Sequence, residues 1–230
     1  MWMDNWVLNT PPALWPVKGS HPFLFRFFEP KRPVVVLANA NQAEQEAHVH
    51  NCAVDNIPIL RRKGGGGTVL LAPGCLIFTM AFYAQKLFGN REYFHQINGL
   101  WIDALKSQGI GGLSQNGLSD LCIGEKKLAG TSLFRRKHLL VYQGSLLVHM
   151  DVDAMEKYLA HPSREPEYRQ KRRHKEFLIS LRDLGYEHPV SQLAQGCTSY
   201  VKAHLNDFLS QNALSREEIC EGSSAARTFL

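Results

Sequence analysis

The stretch RRKGGGGTV (61–69) sits where one short apolar run, IPILRR (57–62), gives way to a longer one, TVLLAPGCLIFTMAF (68–82). Four glycines in a row carry no Cβ, so a backbone there can approach a ligand closely and turn its N–H groups onto an anion. Arg61 and Arg62 place positive charge beside it. No Lys-Ser/Thr follows the glycines, so this is not a Walker loop, and a strand rather than a helix follows, so it is not a dinucleotide fingerprint. Two readings stand at this point, a ligand-binding loop and a flexible Gly-rich hairpin. Pro73-Gly74 divides the second apolar run, which predicts two strands joined by a turn.

Working outward, PVVVLA (33–38) is a β-branched run and predicts a buried strand. NQAEQEAHVHNCAVDN (41–56) reads as a helix. From Asn90 to Gly109, the residues Tyr93, Ile97, Leu100, Trp101, Ala104 and Leu105 fall on one helical face. SDLCIG, KKLAGTSLF and HLLVYQGSLLVHM follow as short strands, and DVDAMEKYLA as a short helix with Asp151 or Asp153 suited to capping. HPSREPEYRQKRRHK (161–175) reads as a charged loop. SQLAQGCTSYVKAHLNDFLSQ closes as an amphipathic helix on Leu193, Cys197, Val201, Leu205 and Phe208. The expected architecture is α+β, a mixed, largely antiparallel sheet with packed helices. Residues 1–30 hold five prolines and a cluster of aromatics, including Trp2, Trp6, Trp15 and FLFRFF, so no long helix is expected there. Residues 213–230 read as a loose tail.

The 230 residues suffice for one large domain, and 44% apolar residues support a core. A net charge of +5 suits an anionic small ligand or an acidic protein partner and is too small to imply nucleic acid. RQKRRHK (169–175) is one short basic run in such a chain, and His48 and His50 have no metal-ligand spacing. Five cysteines without a C-x-x-C pair predict reduced thiols. No stretch reaches the ~20 apolar residues of a membrane helix, and the start has no secretory pattern, so the expectation is a cytoplasmic protein without membrane contact.

EKKLAGTS (125–132) places Lys127 at the start of a strand, before small residues. A lysine there can stabilise a phosphate or a developing negative charge on a carbonyl oxygen. From those residues alone, a solvated strand-end lysine reads as well.

The ordered series RRKGGGGTV (61–69), SDL (119–121), KLAGTS (127–132) and QGSLL (143–147) resembles the lipoate–protein ligase A family, within the biotin/lipoate ligase superfamily. PGCL (73–76) and PSREPEYRQKRRHKEFL (162–178) look like a bacterial subgroup of it, and the resemblance covers roughly residues 24–210. It implies a catalytic-domain fold over 24–212, following the divergent segment 1–30. It implies ATP, Mg2+ and lipoate (or octanoate) as cofactor and substrates, an acyl-adenylate intermediate, and transfer to a lysine on a lipoyl carrier domain. Such carriers are a 2-oxoacid dehydrogenase acyltransferase subunit or a glycine cleavage carrier. Lys127 is the implied catalytic residue. Arg61, Arg62, Gly64, Gly65, Gly66, Gly67, Thr68, Val69, Gly74, Asp120, Gly130, Thr131, Gly144 and Ser145 are the implied adenylate- and substrate-binding residues, with Asp120 a candidate for magnesium. Val69 to Phe78 are expected to line the acyl slot.

The chain departs from the family at three places. It has a proline-rich start instead of an Asn-Leu-Ala-x-x-Glu-like helix, Tyr142-Gln143-Gly144-Ser145 for His-His-Gly-Thr, and Gly74-Cys75 for Gly-Asn. The C-terminal accessory domain is expected to be absent, with a separate subunit in its place. Two alternatives come with the resemblance, an ATP-independent octanoyl or lipoyl transferase with a cysteine nucleophile and a non-catalytic binding protein of the same fold. The transferase positions, GIGGLSQNGL (109–118) and GTSLFRRKHLL (130–140), hold no cysteine, and Cys75 and Cys122 lie in apolar strands.

Overall fold

The computed structural model describes residues 7–225. Ten strands form two sheets: β1 Val17–Lys18, β2 His21–Phe28, β3 Val34–Leu37, β4 Ile59–Arg61, β5 Val69–Leu71, β6 Cys75–Tyr83, β7 Leu113–Asn116, β8 Asp120–Ile123, β9 Lys126–Arg136 and β10 Leu139–Leu147. The large sheet runs β1-β2-β6-β10-β9-β8-β7 and every neighbouring pair is antiparallel. The small sheet runs β4-β3-β5, with β3 parallel to β4 and antiparallel to β5. This is the mixed, mostly antiparallel α+β architecture that the sequence predicts.

Side chains alternate across a strand, and the large sheet uses its two faces differently. One face carries Phe78, Met80, Phe82, Leu140, Tyr142 and Leu146 and is sealed by two helices, α3 Asn90–Lys106 and α6 Val190–Asn212. Trp101 of α3 packs on Phe78 with ring centroids 4.1 Å apart and meets Phe27 edge-on. From α6 come Leu193, Cys197, Val201, Leu205 and Leu209, a strict four-residue spacing. Leu209 takes the buried place expected for Phe208, which is only partly covered. FLFRFF obeys the same alternation. Phe23, Phe25 and Phe27 turn to the helices, while Leu24 packs with Val7, Trp15, Ala81 and Val141 on the opposite face. The rings of Trp2 and Trp6 lie outside the described residues.

Four expectations change. The turn at Pro73-Gly74 joins strands of different sheets, so β5 and β6 are not a hairpin. Gly74 makes the crossing possible. Its φ is +90°, and an added Cβ would lie 2.8 Å from the backbone of His149 and Met150. Its carbonyl accepts hydrogen bonds from the amides of Val148 and His149, so it ties the start of β6 to the end of β10. The helix expected over 41–56 is two short ones, α1 Ala43–Glu46 and α2 Val49–Val54, broken where extended Ala47 bridges to Leu159. Leu159 follows α4, Asp153–Tyr158, so the break anchors α4 over the small sheet. The charged loop 161–175 contains a 3-10 turn, Glu167–Arg169, and leads into α5, His174–Phe177. Its Arg169, His174 and Phe177 are buried, so it is not a solvated excursion. The tail contains α7, Arg216–Ala225, instead of a loose chain over that span. No helix among the described residues is long and apolar enough to cross a membrane.

Candidate active site

The second face of the large sheet carries the site. A cavity of about 850 Å³ opens between its middle, the small sheet and residues 160–178. The Gly-rich loop forms one wall. Asn39 N donates to Gly64 O, and Arg62 N donates to Leu37 O, which fastens the start of the loop to the end of β3 and the residues just after it. The Arg62 guanidinium is buried and donates through Nη2 to the carbonyls of Gly65 (2.7 Å) and Gly67 (2.8 Å). With those carbonyls turned to the arginine, the amides of Gly65, Gly66 and Gly67 have no hydrogen-bond partner among the described residues. The loop therefore presents unsatisfied donors and a nearby cation at the cavity wall, which is the arrangement that holds an anion. Gly66 is held at φ +99°, a conformation unfavourable to any residue with a side chain.

Lys127 faces this loop's cavity from the opposite wall, and a register shift puts it there. Asp120 pairs with Gly130 and Leu121 with Ala129, but Cys122 pairs with Lys127, so β9 has one extra residue at Leu128. In a regular strand Lys127 and Gly130, three apart, would point to opposite faces. The bulge brings both to the cavity side. The lysine then lies across Gly130, where an added Cβ would be 2.9 Å from its Cε and Nζ. Nζ forms an ion pair with Asp120 Oδ1 at 2.8 Å, and the lysine side chain is one-quarter exposed. Tyr168, in the 161–178 segment, donates from its hydroxyl to the other carboxylate oxygen, Oδ2, at 2.6 Å.

The cavity interior divides into an apolar slot and a polar floor. Val69, Leu71, Ile77, Leu147, Met155 and Leu159 line the slot, which covers the expected Val69 to Phe78 only in part, since α4 and β10 supply the rest. Ser132 and Gln143 stand in register across β9 and β10 as the polar floor, with fully buried Thr79 next in line on β6. His174 closes one side. Burial, with Arg169's charge second, pulls its imidazole down to about 4, so it is neutral near pH 7.

Of the residues singled out from the sequence, Arg62, Gly65, Gly66, Gly67, Thr68, Val69, Asp120, Lys127, Gly130, Thr131, Gly144 and Ser145 meet at this one cavity. Thr131 does so from the helix side of β9, its hydroxyl donating to Ser119 O at 2.6 Å. Gly144 leaves room for the Phe78 ring, which an added Cβ would strike. Three residues lie elsewhere. Arg61 donates to the carbonyls of Ala38, Asn39 and Asn41, bracing the loop from outside. Gly64 packs against Ser132, and Gly74 serves the crossing between sheets. Asp120 has both oxygens engaged, by Lys127 and Tyr168. Each oxygen keeps lone-pair capacity beyond that one partner, and the described residues hold no cluster of three or more His, Cys, Asp or Glu fit for a metal. Magnesium carried on substrate phosphates needs no such cage. Sequence reasoning missed Tyr168, Gln143, Ser132, Met155 and Leu159. The only signal for Tyr168 was an aromatic within a charged run.

A seven-stranded antiparallel sheet that gives one face to helices and the other to a Gly-rich loop facing a bulged lysine has the fold of lipoate ligase catalytic domains. A structure from the analysis of an archaeal lipoylation system, a bipartite lipoate protein ligase and its E2 lipoyl domain from Thermoplasma acidophilum, superposes with a TM-score of 0.69 at 21% identity, over 80% of this chain and 71% of that one. A lipoate-protein ligase A bound with ATP gives 0.68 at 21% identity, over 80% of this chain and 73% of that one. The chain belongs to the lipoyl protein ligase A/B catalytic domain family, whose model matches residues 4–202. It is 26% identical to lipoate–protein ligase 1 of Staphylococcus aureus over 157 residues, covering 68% of this chain and 44% of that protein. It is 29% identical to lipoate-protein ligase A of Psychrobacter cryohalolentis over 162 residues, covering 69% of this chain and 43% of that protein. The chain thus spans less than half the length of these relatives.

Proposed function

We propose that the chain activates lipoate, or octanoate, with ATP and transfers the acyl group to a lysine of a lipoyl carrier domain. The observation that carries this reading is the pairing of unpartnered glycine amides with a cavity-facing lysine above an apolar slot. The slot takes the acyl chain, which places its carboxylate at the polar end beside Lys127. That carboxylate attacks the α-phosphorus of ATP, pyrophosphate leaves, and acyl-AMP remains. The carrier amine then attacks the acyl carbonyl, loses its proton, and AMP departs. Lys127 offsets charge on the phosphate in the first step and on the carbonyl oxygen in the second. The loop amides hold the adenylate. Magnesium, arriving with ATP, supplies further charge neutralisation of the phosphates. The carriers that fit are the acyltransferase subunit of a 2-oxoacid dehydrogenase and the glycine cleavage carrier. Residues 24–212 are the catalytic unit in this reading.

The thiols argue against the cysteine-dependent transferase. Cys75 is fully buried and burial pushes it up to about 12. Cys122 is also fully buried, and burial raises it above the ordinary thiol range. Thiolate, the reactive form, is disfavoured at both.

The cavity mouth is open to solvent, and water there weakens charge stabilisation and hydrolyses an adenylate. We infer that adenylate formation needs a cover from outside residues 7–225, such as a separate accessory subunit. ATP–pyrophosphate exchange in the presence of lipoate, compared with transfer from preformed lipoyl-AMP, tests both parts. The chain by itself should transfer well and adenylate slowly. Fast adenylation by the pure chain would remove the need for a partner, and failure of both half-reactions would favour a non-catalytic binding protein.

A further inference from the structure

The geometry points to Tyr168 as a positioning residue that acts on Lys127 through Asp120 and makes the lysine's placement depend on the 161–178 segment. The inference rests on the proposed role of Lys127. Tyr168 does not touch the lysine. Its hydroxyl donates to Asp120 Oδ2 at 2.6 Å, and Asp120 Oδ1 faces Lys127 Nζ at 2.8 Å. A carboxylate with both oxygens engaged cannot rotate to chelate the ammonium with two oxygens, and it shares its charge with the phenol. The lysine is held in place while keeping donors for a phosphate or carbonyl oxygen. Asp120 is only 7% exposed, so water competes weakly for these bonds.

Tyr168 is itself fixed by its own segment. Its ring lies 5.3 Å from that of Phe177, and Arg172 donates to the carbonyls of Tyr168 and Glu125, which ties the segment to the β8–β9 turn. Arg169 covers Phe177 at 4.8 Å and meets Glu165 at 3.4 Å. Leu178 bridges to Lys127, and Ile179 N donates to Lys127 O at 3.0 Å. The segment therefore grips the lysine's backbone at one end and its counterion at the other. Burial and then the charge of Asp120 hold the Tyr168 phenol far above the ordinary tyrosine range, so it remains a donor at any working pH. Lys127, Tyr168 and Ser119 face Asp120, and Cys122 Sγ lies 3.5 Å from the Tyr168 hydroxyl.

Tyr168→Phe keeps the ring, so packing on Phe177 survives, and deletes the hydroxyl with its bond to Asp120 and its weaker contact with Cys122 Sγ. Two readouts on the full chain separate this inference from the proposed activity. The first is the rate at which a small amine-acylating reagent labels Lys127, followed by mass spectrometry of the intact fold. Tyr168→Phe should change that rate about threefold or more, Asp120→Asn should change it further, and the double variant should match Asp120→Asn alone. The second is steady-state transfer from lipoyl-AMP. Tyr168→Phe should lower kcat about tenfold, the worth of one hydrogen bond to a charged group, with KM little changed. Lys127 labelling identical in wild type and Tyr168→Phe would overturn the inference, as would additive effects in the double variant. The predicted labelling pattern in a chain that transfers nothing would instead uphold the Tyr168–Asp120–Lys127 linkage and sink the ligase reading.

Discussion

The two faces of the large sheet are built from alternate residues of the same strands, yet they answer to different demands. On the helix side Phe78, Phe82, Tyr142 and Leu146 join Trp101 and Leu205 in one buried apolar layer. On the other side Gln143, Ser145 and Ile77 look into open space roofed by the Gly-rich loop. The difference teaches where the molecule tolerates change. Atoms removed from the first face should appear as lost stability with the site chemistry intact. Changes on the second should appear chiefly as lost chemistry, with smaller costs in stability.

The largest expected effect lies on the helix face. Trp101→Ala removes a ring that is 2% exposed and should cost about 3–5 kcal/mol by denaturant titration. A loss under about 1 kcal/mol would show that this layer is not the main core. Next comes Lys127→Ala, which should reduce acyl transfer by two to three orders of magnitude, about 3–4 kcal/mol of barrier, with its unfolding midpoint near wild type. A folded variant with most of its activity would remove Lys127 from the chemistry and blur the division between faces.

Acid should separate the two regions as well. The folded His174 has its pKa lowered to about 4 from an ordinary 6.5, so below pH 6.5 the unfolded chain takes up a proton that the folded one refuses. Stability is therefore full above pH 6.5 and falls between pH 6.5 and 4, by at most about 2 kcal/mol at pH 5. His174→Gln should flatten that part of the profile. An unchanged profile would show that His174 does not couple the segment to folding.

Gly66→Val tests the roof. A β-branched residue at φ +99° is strained, so about 1–2 kcal/mol of stability should be lost. Affinity for a non-hydrolysable lipoyl-AMP analogue should fall more, by tenfold or above, in calorimetry. Unchanged affinity would make the loop a structural hairpin. The smallest effects are expected at Cys75→Ser and Cys122→Ser. Each should retain transfer with a packing penalty of about 1 kcal/mol. A hydroxylamine-sensitive acyl thioester on either cysteine would favour the ATP-independent transferase.

Much of this division can be read in the sequence. The four-residue spacing along α6 and the alternation in FLFRFF place the helix face directly. The glycine loop and the order of the later motifs bring twelve of the singled-out residues to one cavity. Other features depend on contacts between distant segments. A regular strand would set Lys127 and Gly130 on opposite faces, and only pairing with β8 shows that Leu128 is extra. The pair β5 and β6 looks like a hairpin because a turn residue cannot reveal that its two strands join different sheets. Tyr168 carries no periodic or turn signal. Its partner Asp120 is 48 residues away, and the charged residues around it suggest solvent, whereas Arg169 is buried against Phe177 and paired with Glu165, and His174 is buried beside Glu156.

The most direct test is intact-mass analysis of a purified lipoyl domain incubated with the chain, lipoate, ATP and magnesium, and in parallel with the chain and preformed lipoyl-AMP. The account predicts the gain of one lipoyl group on a single carrier lysine. The gain should be fast from lipoyl-AMP, slower and strictly ATP-dependent from lipoate, and absent with Lys127→Ala. No gain from lipoyl-AMP, or modification from an acyl donor without ATP through an enzyme thioester, would contradict it.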